Sequence, residues 1–218
     1  MSAFHDRTQA GRLLAAKLTD YANRDDVLVL GLPRGGVPVA YEVARALDAP
    51  LDVYVVRKLG APGQEELALG AIASGGVRVL NQDVVRALRI VEASIDAIAA
   101  REQVELERRE KLYRGDRQLP AVAERTVILV DDGLATGATM RAAVQSLRQL
   151  GPRRLVVAVP AGAPETCADL EREVDELICL ITPEPFYGVG LWYDHFTQTP
   201  DAEVTRLLRE ATRLHPDA

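Results

Sequence analysis

Val127-Ile-Leu-Val-Asp-Asp-Gly-Leu-Ala-Thr-Gly-Ala-Thr139 runs from an apolar segment through an acidic pair and a loop of small residues into a helix-like pattern. Four branched apolar residues without polar alternation predict a strand buried on both faces, as in a parallel sheet. In an open parallel sheet ligands sit beyond the carboxyl ends of the strands, where a loop meets a helix N-terminus, so this stretch stands where chemistry is expected. Its chemistry divides in two. Ala135, Thr136, Gly137, Ala138 and Thr139 offer small side chains, two hydroxyls and the unpaired N–H groups of a first helical turn, a cradle for a phosphate dianion. Asp131 and Asp132 accept hydrogen bonds only and suit sugar hydroxyls or a hydrated cation. A strand-to-helix turn with an Asp cap needs much less than this, and no Gly-Lys-Ser/Thr follows to make a Walker loop.

Outward from that stretch, apolar runs at Val27–Leu30, Leu51–Val56, Leu155–Val159 and Leu177–Ile181 alternate with helix-like stretches at Val37–Leu47, Thr139–Leu150 and Pro164–Glu173. Strand and helix in regular alternation predict an α/β protein with an open, mostly parallel twisted sheet flanked by helices. A first helix is expected over Arg7–Tyr21, a short strand at Val79-Leu80 near Ile72, and a terminal helix from Thr199-Pro200 through Arg213. Gly151-Pro152 closes the helix after Thr139. Asp83–Arg114 interrupts the alternation with one long or two shorter helices, whose charged half, Arg101–Lys111, reads as a solvated face or a homodimer contact.

The 218 residues, 48% of them hydrophobic, suffice for one core with an appended flap, so a single domain is expected. With 26 basic against 32 acidic residues and a formal charge of -6, the chain has no basic stripe for nucleic acid. Any anionic ligand must be held by local Arg, Lys and backbone N–H groups. Cys167 and Cys179 have no short metal-ligand spacing and read as ordinary thiols. Met1–Ala16 never builds the apolar run of a signal peptide or spanning helix, which makes the cytoplasm the expected compartment and a membrane partner unexpected.

Val127–Thr139 resembles the thirteen-residue signature of the type I phosphoribosyltransferases at essentially every position. The resemblance implies that the chain binds 5-phosphoribosyl-1-pyrophosphate (PRPP) with Mg²⁺ and transfers the phosphoribosyl group to a nitrogenous base, releasing pyrophosphate. By the same resemblance Asp131 and Asp132 would take the ribose hydroxyls and Ala135–Thr139 the 5-phosphate. The hypoxanthine and guanine branch carries an acidic base where this chain has Ala135, so that branch's proton acceptor does not transfer.

Three further stretches fit beside the signature. Gly31-Leu-Pro-Arg-Gly-Gly36 follows the first strand and supplies a cation and bare backbone. Alone it is as well read as a turn and cap, but it is similar to the family's pyrophosphate loop, with Arg34, Gly35 and Gly36 as ligands and a cis peptide expected at Pro33-Arg34 or Arg34-Gly35. Val55–Gly63 resembles the Arg-Lys segment that opens the mobile loop of the adenine branch. It would bring Arg57 and Lys58 to the departing pyrophosphate, with Gln64–Leu69 as a lid and Glu65 or Glu66 as proton acceptor. Phe186–Phe196 gathers most of the aromatics and reads either as packing of a C-terminal cap or as a stacking wall for a planar base. It is similar to the hood of purine phosphoribosyltransferases, expected over residues 176–200, with Tyr187, Trp192, Tyr193 and Asp194 framing the base and Asp194 near a second hydrated Mg²⁺.

Two other function classes fit the same features: a regulatory protein that senses PRPP without transferring it, and a phosphosugar hydrolase or phosphorylase. The lid cations and the lack of a basic DNA-binding element disfavour the first. The second would need an ordered water near Asp131 or Asp132 rather than a base pocket.

Overall fold

The predicted apolar runs assemble into a five-stranded, wholly parallel sheet, in a computed structural model that describes residues 2–215 without the side chains of Glu65 and Glu66. The order of elements is α1 (Arg7–Ala15), β1 (Val27–Gly31), α2 (Gly36–Leu47), β2 (Leu51–Val53), β3 (Val56–Ala61), β4 (Gln64–Ala73), β5 (Val77–Leu80), α3 (Gln82–Ala87) and α4 (Glu92–Arg114). Then follow β6 (Thr126–Val130), α5 (Ala138–Gln149), β7 (Arg154–Ala161), α6 (Pro164–Leu170), β8 (Glu176–Ile181) and α7 (Asp201–Leu214). The sheet order is β2-β1-β6-β7-β8, with β1 and β6 in register from Val27 opposite Thr126 to Gly31 opposite Val130. The loops after β1 and β6 therefore leave the sheet side by side, and Leu32 N–H donates to the Val130 carbonyl at 2.9 Å.

Strands β1, β6 and β7 are buried on both faces, which is why they lack polar alternation. Val27, Val29, Ile128, Val130 and Val156 pack with residues of α1, α2 and α7. Leu28, Leu30, Val127, Leu129 and Val157 pack on the other face with Met140, Val144 and Leu147 of α5 and Leu170 of α6. None of the described helices is long and apolar enough to cross a membrane.

Two expectations need correction. Leu51–Val56 is not one strand: Tyr54 N–H still donates to the Gly31 carbonyl, but Val55 is paired with Ser74, so the chain leaves the parallel sheet there. β3 belongs instead to a separate antiparallel sheet, β3-β4-β5. Gln64–Leu69, expected as a loop, is the first part of β4, joined to β3 through Pro62-Gly63, where Gly63 takes φ 73°. Leu59 and Leu69 of this sheet are buried in the same cluster as Ile95, Leu106 and Tyr113 of α4. Apolar burial against α4 thus outweighs the loop-like Pro-Gly and Glu-Glu pairs. The helical interruption consists of two helices, and the charged half of α4 carries pairs such as Arg109–Glu105 at 2.7 Å. α1 stops at Ala15, a 3₁₀ turn covers Thr19–Tyr21, and α7 starts one residue later than expected, with Pro200 as its cap.

Candidate functional site

At the end of β6 the chain turns through Asp131 and Asp132 and enters α5 with Gly137 as N-cap at φ 73°. Neighbouring backbone holds this loop: Leu134 N–H donates to the Ala161 carbonyl, Ala163 N–H to the Leu134 carbonyl, and Thr166 Oγ1 to the Ala135 carbonyl at 2.7 Å. Ala135, Thr136, Ala138 and Thr139 stay exposed. A cavity of about 180 Å³ is lined by Asp131, the stretch from Gly133 to Met140, and Val189 of the C-terminal segment. First-turn amides have no intrahelical acceptor, so this cavity joins N–H donors, hydroxyls and one carboxylate at a helix N-terminus. Larger cavities exist, one of about 780 Å³ beside the Gly75-Gly76 turn, but none of the predicted site residues lines it.

Gly137 has little freedom to change. Its φ lies in the left-handed region and an added Cβ would run into the Thr166 methyl. Gly137→Ala is expected to lower stability by about 1–2 kcal/mol, measured by urea unfolding; an unchanged midpoint would show that the loop can relax without it.

The acidic pair is not symmetric. Asp132 N–H donates to Asp131 Oδ1 at 2.8 Å, and Asp131 has no ion pair among the described residues. Asp132 Oδ2 accepts from Arg7 Nε at 2.8 Å, and the two side chains are largely enclosed, with Arg7 12% and Asp132 16% exposed. Burial raises both carboxyls; for Asp131, pushed well above the ordinary range, the neighbouring Asp132 adds to it, while for Asp132 the Arg7 guanidinium opposes it.

The Gly31–Gly36 loop lies against this pair. Its Pro33-Arg34 peptide is cis, at one of the two expected bonds. A Cβ on Gly35 would overlap the Asp132 carboxylate, and one on Gly36 would press on the Val130 carbonyl and Asp131, so both glycines are required for close approach. Arg34 points towards the first turn of α7, its Nη1 at 3.9 Å from Asp201, and Asp201 in turn accepts from the Tyr113 hydroxyl of α4 at 2.5 Å.

The remaining predicted residues divide. Arg57 is tied to Glu102 of α4 through Nε at 3.0 Å and Nη2 at 2.5 Å. Lys58 is exposed on β3. Glu65 and Glu66 lie on β4, but their side chains are outside the described residues. Tyr187 is 82% exposed. Trp192 stacks on Phe186 with centroids 6.3 Å apart, and its indole Nε1 is buried without a partner. Tyr193 is not part of an open wall: it is buried between Phe4 and Phe196, and its hydroxyl donates to the Asp132 carbonyl at 2.6 Å. Burial, and then the nearby Asp132, raise its pKa. Asp194 bonds Ser2 and faces His5 at 3.6 Å, and these contacts lower its pKa, the Ser2 hydroxyl most. Among the described residues no group of three or more His, Cys, Asp or Glu is placed to hold a metal ion directly. Cys167 and Cys179 are free thiols.

Sequence reasoning missed Arg7 and Glu102. Arg7 did carry a signal, because a cation at the first residue of a helix opposes the macrodipole and needs another partner.

The chain is similar to known proteins over its whole length. Chains from two strains of Mycobacterium tuberculosis, one named "Putative phosphoribosyl transferase Rv0571c", are 50% identical over all 218 residues. The present chain spans about half their length, 49%. A crystal structure of TT1426 from Thermus thermophilus is 45% identical, with a TM-score of 0.85 over 95% of this chain and 98% of that one. A family model described as "Phosphoribosyl transferase domain" matches residues 2–191, a span that contains the acidic pair, the Ala135–Thr139 loop and the cis-peptide loop, and the chain belongs to that family, as the type I signature implied.

Proposed function

We propose that this chain transfers the 5-phosphoribosyl group of PRPP to a nitrogenous, purine-like base with release of pyrophosphate. One observation carries this reading: a single cavity joins the Asp131 carboxylate to the exposed loop and first turn of Ala135–Thr139. A ribose 5-phosphate has a vicinal diol at one end and a phosphate at the other, and this cavity presents an acceptor and a donor cradle in that order.

The loop binds the 5-phosphate, Asp131 and Asp132 accept from the ribose hydroxyls, and Arg34 with the amides around Gly35 and Gly36 takes the pyrophosphate. Asp131 also fits a hard divalent cation, since it is an oxygen donor with no ion pair of its own among the described residues. Mg²⁺ there would offset charge growing on the departing pyrophosphate. Arg57 reaches that pyrophosphate by exchanging Glu102 for it, and Lys58 follows from the same strand. The β3-β4 hairpin excludes water from the anomeric carbon, whose transition state has oxocarbenium character. Glu65 or Glu66 accepts the base's proton. Tyr187, exposed next to Phe186 in the chain, offers a ring face to a planar base, with Trp192 stacked on Phe186.

The test is a pyrophosphate-release screen over purines and pyrimidines with PRPP and Mg²⁺, run beside calorimetric PRPP binding. Release that depends on a purine-like base is expected. Absence of PRPP binding would overturn the reading. A second reading, a PRPP sensor, is favoured by one feature: Arg57 and Arg34 are both engaged by carboxylates of the chain itself, Glu102 and Asp201. Binding without release for any base would select it, and base-independent consumption of PRPP would select a hydrolase.

A further inference from the structure

Helix α1 starts with Arg7, although the N-terminal end of a helix favours anions. The Arg7 side chain is nonetheless almost enclosed. Its Nε donates to Asp132 Oδ2 at 2.8 Å and its Nη1 to the Thr197 carbonyl at 2.8 Å. Its guanidinium lies 3.9 Å from the centroid of the Phe196 ring. Gly35 sits on the other side, where an added Cβ would meet the Asp132 carboxylate and, next, Arg7 Nε. The Tyr193 hydroxyl fixes the Asp132 carbonyl from the same C-terminal loop. One cation therefore connects α1, the acidic pair, the Gly35 backbone and the loop that carries Phe196 and Thr197.

We propose that Arg7 is a positioning residue of the PRPP site: it holds the Asp132 carboxylate by one oxygen, leaves the other to accept from ribose, and fastens the C-terminal loop to the acidic pair. The inference rests on the donor reading above. Its physical basis is that adjacent, largely enclosed carboxylates repel each other and lose part of their hydration, so a cationic partner is needed to fix their orientation. Among the described residues Arg7 is the only one in an ion pair with either acid. A guanidinium can serve a carboxylate, a carbonyl and a ring face together because it is planar with five divergent donors, whereas an ammonium can satisfy the charge but not the stacking. Arg7 is not among the residues that line the Ala135–Thr139 cavity, and its hydrogen bonds go to Asp132 and Thr197 rather than to the Gly31–Gly36 loop, so its influence should fall on the sugar more than on phosphate oxygens.

That selectivity is the test. Affinities for ribose 5-phosphate, PRPP and inorganic pyrophosphate, each with Mg²⁺, are measured by calorimetry for wild type, Arg7→Met and Arg7→Lys. Methionine keeps most of the side-chain length and removes the charge. Arg7→Met is expected to weaken both sugar phosphates by at least about tenfold and to leave pyrophosphate within about twofold. Arg7→Lys should recover part of the sugar affinity. If Arg7→Met does not fold, Arg7→Lys alone must show the same selective loss at smaller size. Equal weakening of all three ligands, or no weakening, would overturn the positioning role while leaving the donor reading intact. A wild-type protein that binds neither sugar phosphate would overturn the donor reading, and this role with it.

Discussion

Asp131→Asn is expected to weaken PRPP binding in Mg²⁺ by about a hundredfold and, at neutral pH, to raise the stability of the ligand-free protein by about 1 kcal/mol. The two effects share a cause. Burial, reinforced by Asp132, drives the Asp131 carboxyl far above its ordinary pKa. For an acid whose folded pKa exceeds its unfolded pKa, stability is complete below the unfolded value and is lost as pH rises through the folded one. At pH 7 the unliganded protein therefore bears that loss, and an amide, which has no charge to desolvate, removes it. The amide oxygen can keep the bond from Asp132 N–H, now 2.8 Å to Oδ1, so the loop should survive. Binding suffers because an amide offers a cation only a neutral oxygen and presents N–H donors where the ribose hydroxyls need acceptors. Calorimetric titration and urea unfolding of the same samples check both halves. Lost binding accompanied by lost stability would mean that Asp131 is structural, and retained binding would remove it from the site.

The acidic pair was readable from sequence because its residues are adjacent and exceed what a helix cap needs. All the residues of the small-residue loop that follows, Ala135–Thr139, are consecutive as well. Strands β1, β6 and β7 were legible because continuous apolar runs need burial on both faces, which the middle of a parallel sheet supplies; β8, at the edge and only part-buried, was legible from its apolar run alone. What stayed hidden depends on residues far apart in the chain. The switch of the chain out of the parallel sheet at Val55 is decided by Ser74, whose hydroxyl accepts from Val55 N–H. The strand at Gln64–Leu69 is decided by α4, which covers Leu59 and Leu69. Arg7 meets Asp132 across 125 positions, and Arg57 meets Glu102 across 45. Tyr193 carries an aromatic ring that suits a stacking wall equally well, and only its burial beside Phe4 shows it to be a brace.

The same long-range logic makes Arg114→Met the substitution with the largest expected effect on stability. Arg114 ends α4 with its side chain 4% exposed, facing a fully buried Asp52 on β2. Its Nε reaches both Asp52 oxygens at 3.1 and 3.2 Å, its Nη2 the Val53 carbonyl at 2.9 Å, and its Nη1 Glu110 at 3.2 Å. This joint lies just before the point where the chain passes from the parallel sheet into β3, so it fixes α4, and with it Glu102, against the strand that carries Arg57. Methionine fills a similar volume but leaves Asp52 with Arg117 at 3.8 Å and the Val53 amide, at a loss of about 3–4 kcal/mol near neutral pH. The pH dependence separates lost charge from lost packing. Burial already raises the Asp52 carboxyl against the pull of Arg114, and without that pull it rises further. Since stability then falls as pH rises through the folded pKa, the deficit of Arg114→Met relative to wild type should shrink between a neutral and a mildly acidic pH. Adding Asp52→Asn should restore much of the loss at pH 7 by removing the stranded charge. Urea unfolding at the two pH values decides it: a deficit that does not change with pH, and that the second substitution does not relieve, would show that Arg114 acts by packing alone.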